Sequence, residues 1–146
     1  MTAKEYLGKI QIYRRAIKST QLRIEELEHQ VSGLKAITYD RDRVQVSPEN
    51  RMEELMIKID AQAGKMARQI IKYQTELQKR ERQIMAMDNP DHAEILRLRY
   101  LETDGSGRSM SLEEIACRMH LSYFRVKHLH GEALAAFARR YKVSTH

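Results

Sequence analysis

The chain of 146 residues has no tryptophan, two phenylalanines, two prolines, six glycines and one cysteine, Cys117. Each shortage excludes something. A single cysteine cannot form an internal disulfide framework and suits a reducing compartment. So few prolines and glycines leave little turn chemistry for a many-stranded fold. With few aromatic rings, the apolar content rests on Leu, Ile, Val, Met and Ala, which favour helical stripes over a sheet sandwich. No apolar run is long enough to span a bilayer. The start, MTAKEYLGKI, carries Lys4, Glu5 and Lys9 where a signal peptide needs an apolar segment. The expectation is an all-α, cytoplasmic protein with no membrane contact.

What is abundant is charge. Charged residues make up 32% of the chain, and 26 Lys and Arg against 20 Asp and Glu give +6. The excess suits an anionic partner, but its position says more than its total. From Arg118 to Lys142 the charges are Arg118, Arg125, Lys127, Arg139, Arg140 and Lys142 against Glu132 alone.

Two long apolar repeats fill the first part of the chain. Tyr6, Ile10, Tyr13, Ile17, Thr20, Ile24, Leu27, Val31 and Leu34 alternate in steps of four and three, with Thr20 the one polar member. Met52, Met56, Ile59, Ala63, Met66, Ile70, Tyr73, Leu77, Arg80, Ile84 and Met87 repeat the pattern, broken by Arg80. This is a seven-residue, coiled-coil spacing. The first helix should end near Ile37. Ser47 is suited to cap the second and Pro48 to open it. Folding back as an antiparallel coiled-coil hairpin would set Leu34 near Met52 and Tyr13 near Tyr73. Pairing with the helices of a second chain, giving a homo-oligomer, stays open because heptads do not fix the partner.

At Asp88, Asn89 and Pro90 the repeat stops, since proline disfavours helix at the residue before it and starts a new helix well. The expected domains are therefore 1–88, the long hairpin, and 89–146, a small helical domain. Residues 90–102 should form a short helix with Ile95, Leu98 and Leu101 facing a core, and TDGSGRS, 103–109, a loop.

Residues 111–130, SLEEIACRMHLSYFRVKHLH, have the pattern of a helix-turn-helix. Ser111 with Glu114 forms a capping signature for the first helix, and Ser122 caps the second. Ala116 is the small residue where the helices cross. Ile115, Met119 and Leu121 should face inward from the first helix and the turn, and Val126 and Leu129 from the second. His120 occupies the turn, where left-handed backbone is wanted, and histidine is among the side chains that tolerate it. Ser122, Tyr123, Phe124, Arg125, Lys127 and His128 are then the candidate DNA-binding residues, at a helix start whose dipole favours phosphate. Phe124 fits packing as well as groove contact. Cys117 reads as a small core residue. His128 and His130 point to different helix faces and no ligand cluster joins them, so neither a metal nor a cofactor is expected. No nucleophile motif, phosphate loop or acid/base array supports an enzyme.

On Ser111, Leu112, Glu113, Glu114, Ile115, Leu121, Ser122, Val126, Leu129, Ala133 and Leu134, the segment resembles the helix-turn-helix in region four of primary sigma factors. With ILRLRYLE (95–102) ahead and HLHGEAL (128–134) behind, the layout is similar to phage-encoded sigma-like regulators of the ArpU and RinA type. The resemblance implies a phage or prophage transcription regulator in a bacterial host cell, binding double-stranded promoter DNA and acting with RNA polymerase. Sigma factors carry Arg-Glu and a later Gln where this chain has Tyr123, Phe124 and His128, which implies a target other than the ordinary upstream element. No segment resembles one that melts a promoter, so an activator or polymerase anchor is expected over an autonomous sigma factor. A DNA-packaging recognition subunit of small terminase type and a coiled-coil docking protein are the alternatives.

Overall fold

The structure, a computed structural model, describes residues 1–40 and 46–144, with side chains at 1–35 and 50–144. Five α-helices run through them: α1 (Ala3–Asp40), α2 (Val46–Met85), α3 (Pro90–Leu96), α4 (Leu112–Met119) and α5 (Tyr123–Tyr141). A π-helical turn, Arg97–Leu101, follows α3 directly. Among the described residues there are only isolated bridges and no strands. The expected roles of Ser47 and Pro48 concern side chains outside the described residues. Among the described residues no helix is long and apolar enough to cross a membrane.

The contacts divide the chain into two compact units, one made of Met1–Arg14 with Thr75–His146, the other of Arg15–Gln74. Every member of both apolar stripes is buried or half-buried. That is the outcome of folding α1 and α2 back as an antiparallel helical hairpin. In the unit Arg15–Gln74, Leu27 and Val31 of α1 share a groove with Ile59 and Ala63 of α2, and Leu27 and Ile59 are buried. Thr20 keeps its place in the stripe by donating its hydroxyl to the Ala16 carbonyl at 2.7 Å.

In the unit that contains both chain ends, the beginning of α1 lies against the end of α2. Tyr6 Oη donates to Gln83 Oε1 at 2.8 Å. Arg80, the break in the repeat, is 3% exposed. Its guanidinium donates to the Tyr6 carbonyl at 3.0 Å and to the Glu76 carbonyl and carboxylate at 3.0 and 2.8 Å. The same group lies 4.0 Å from the Tyr6 ring centre and 5.0 Å from that of Tyr13. Buried charge is tolerated only when its donors are satisfied. The Glu76 carboxyl, hydrogen-bonded to Arg80, is held below the usual carboxylate range.

The core of this unit joins Ala3, Leu7, Ile10 and Ile84 to Ile95, Leu96, Leu98, Tyr100, Met110, Ile115, Ala116, Val126, Leu129, Ala133, Phe137 and Ala138. Asn89 caps α3, accepting the Asp91 N–H at 2.9 Å, and Pro90 opens it. The π turn changes the expected inward set. Glu102 N–H bonds to the Arg97 carbonyl five residues back. The wider turn puts Tyr100 in the core beside Leu98 and leaves Leu101 half-buried. The loop 103–109 is organised by Asp104, whose Oδ1 accepts from Ser106 N, Ser106 Oγ and Arg108 N at 2.9, 2.6 and 3.0 Å. Gly107 takes the left-handed backbone this turn needs, with φ 82°.

Candidate nucleic-acid interface

Helices α4 and α5 each begin on a serine. Ser111 Oγ accepts the Glu114 N–H and Ser122 Oγ the Arg125 N–H, both at 3.2 Å. Each bond satisfies one of the donors a helix start leaves free. Between the helices His120 adopts φ 55°, ψ 42°, the left-handed turn expected of it. Its N–H and that of Leu121 return to the carbonyls of Cys117 and Ala116, closing α4. Ile115 and Ala116 are buried against Val126 and Leu129 in the shared core.

Two residues of this motif differ from expectation. Leu121 is 38% exposed, because the chain has already turned at His120 and only its backbone bonds back to α4. Cys117 is exposed. The inward face of α4 is Leu112, Ile115, Ala116 and Met119, and position 117 lies about 100° around the helix from Ala116.

On α5 the buried residues Val126, Leu129, Ala133, Phe137 and Ala138 form one stripe, which leaves the opposite face to solvent. Phe124 and His128 lie there, and Arg125 and Lys127 lie on its flanks about 100° from Val126. Ser122 is the cap, and Tyr123, three residues before Val126, lies at the edge of the inward side. Ser122, Arg125, Lys127 and His128 are exposed. Tyr123 is 39% and Phe124 81% exposed, and the two rings meet edge to face with centres 6.0 Å apart. Phe124, Lys127 and His128 line one shallow groove with Gly131, Glu132 and Ala135. This face has no role in packing the core, so Phe124 is not a core residue.

Electrostatics sharpen the face. Glu132 is its one acid, and His128 Nε2 lies 2.9 Å from a Glu132 carboxylate oxygen, while His92 of α3 stands 4.0 Å from the other. Sequence reasoning missed this pairing, although His128 and Glu132 at a spacing of four were its visible sign. Arg118, Arg139 and Lys142 are exposed. Arg140 is partly matched, 2.9 Å from Asp88. Among the described residues no group of three or more potential metal ligands is assembled.

A small residue at the helix crossing, a left-handed turn, and a second helix with an exposed basic first turn are the parts of a DNA-reading helix-turn-helix. Residues 89–137 match the family Sigma-70, region 4. This segment is a sigma region-four-like helix-turn-helix. It begins at the cap of α3 and ends at Phe137 in the core, so the match takes in the turn, both helices and their support. No curated protein and no solved structure matches the chain.

Proposed function

We propose that the protein regulates transcription by holding promoter DNA with α5 of its sigma-like segment while contacting RNA polymerase, as a phage or prophage regulator. The observation that carries this reading is the first turn of α5, where Arg125 and Lys127 are exposed on either side of the buried Val126. In this arrangement Ser122 and the free N–H groups of the first turn meet a phosphate, Arg125 and Lys127 meet the backbone, and Tyr123, Phe124 and His128 face base edges. Because sigma factors carry Arg-Glu and Gln at those last positions, the element read differs from theirs.

The test is binding of the full chain to duplexes at several salt concentrations. Arg125→Ala and Lys127→Ala should weaken binding, and each lost phosphate contact should reduce the salt slope by roughly 0.9, with helicity unchanged. Val126→Asp should unfold the motif by placing a charge in the core. Parent-like binding by both basic variants would remove α5 as the reading helix. Sequencing the genomic fragments recovered by the protein checks the regulatory role: a shared motif upstream of an operon supports it, and enrichment at a packaging start contradicts it.

A further inference from the structure

A phenyl ring 81% exposed on an otherwise basic helix start meets, among the described residues, no ring but the edge of Tyr123. It is not a leftover of core packing, since the inward stripe of α5 lies on the other side. Phe124 stands in the first turn, where a recognition helix presents side chains to base edges. Below it along the groove are Gly131 and Ala135, which add almost no side-chain bulk, so the ring overhangs open space. A Cβ at Gly131 would meet nothing within 4 Å, so the chain's own packing does not demand glycine there.

What covers the ring must tolerate its neighbours. Arg125 and Lys127 flank it, and the nearby acid, Glu132, is engaged by His128. The face is therefore basic around an apolar centre, which fits a polyanion carrying an apolar group. In a DNA major groove that group is the C5-methyl of thymine, the one apolar feature of the base edges and a known kind of partner for phenylalanine. We propose that Phe124 is a specificity residue that recognises thymine through its methyl group. The inference rests on the DNA-binding reading above and names what that site discriminates.

The test uses the full chain and a duplex that the protein itself recovers from a random-sequence pool. Each thymine is replaced in turn by deoxyuridine, which pairs identically and lacks only the methyl. At one or two positions the parent protein should lose about fourfold in affinity per methyl, the value of burying one such group. Phe124→Ala should bind the thymine duplex as weakly as the parent binds the uracil duplex, and should lose nothing more when uracil is introduced. A parent indifferent to every replacement overturns the assignment, as do losses from the variant and from uracil that multiply. Equal weakening of Phe124→Ala on selected and unrelated duplexes overturns it too, since the ring would then touch backbone. Lys127→Ala separates the two levels. If it weakens binding while uracil has no effect, the thymine inference alone fails. If no duplex is recovered, both readings fail.

Discussion

His130 is the residue on α5 whose charge the fold opposes. Its Nε2 lies 2.9 Å from Tyr100 Oη, and the rings stack with centres 5.8 Å apart. Burial, with Arg99 and Lys4 adding repulsion, lowers its pKa from 6.5 to about 4. Burial likewise pushes Tyr100 up to about 12, so both rings are neutral at physiological pH. The unfolded chain takes up the His130 proton at a higher pH than the folded chain does. The stability from this site is therefore complete above about pH 6.5 and is lost as pH falls toward 4. Urea midpoints measured at about pH 7.5 and about pH 5 should show that loss, and His130→Gln should reduce it. An unchanged pH slope in the variant would assign the effect elsewhere. None of this was legible from the sequence, which put His130 on a different face from His128 but could not show that a π turn brings Tyr100 beneath it.

At the scale of the element, the register of α1 and α2 is the sharpest expectation. Leu27 and Ile59 are buried and share one groove. Cysteines at these two positions, in a Cys117→Ala background, should cross-link within a single chain under mild oxidation. Products formed only between chains would show that the helices pair with another copy. The stripes were readable because a seven-residue repeat reports directly on which side of a helix is covered. Even Arg80 kept its position in the repeat, although spacing could not reveal that two tyrosine rings and three oxygens would receive its charge. Leu7 was harder. It sits one position from Tyr6 in the stripe yet is fully buried, so the apolar face widens at the start of α1 where Ala3, Leu7 and Ile10 meet a second set of partners. In the helix-turn-helix, both serine caps and the turn at His120 followed from local chemistry. Leu121 did not, because a pattern of apolar residues near a turn does not tell which one the turn rotates outward. Cys117 was read from its apolar neighbours, whereas the helical period already sets it about 100° past Ala116.

At the scale of the molecule, the unit that carries the sigma-like segment is built from both ends of the chain. A fragment of residues 89–146 holds all of the matched segment but lacks Ala3, Leu7, Ile10 and Ile84 from its core. It should melt without a cooperative transition, read by circular dichroism, and bind DNA weakly. A chain in which a short flexible linker replaces residues 15–74 should keep both the transition and DNA binding. A fragment 89–146 as stable as the full chain would show that the N-terminal residues are dispensable. The discontinuity also sets an order of events during synthesis. Leu7 and Ile10 leave the ribosome well before Phe137, so at about 5–20 residues per second they wait several seconds for that partner. A nascent chain stalled before α5 therefore leaves part of the apolar start of α1 uncovered, open to chaperones and proteases until Val126, Leu129, Ala133 and Phe137 arrive.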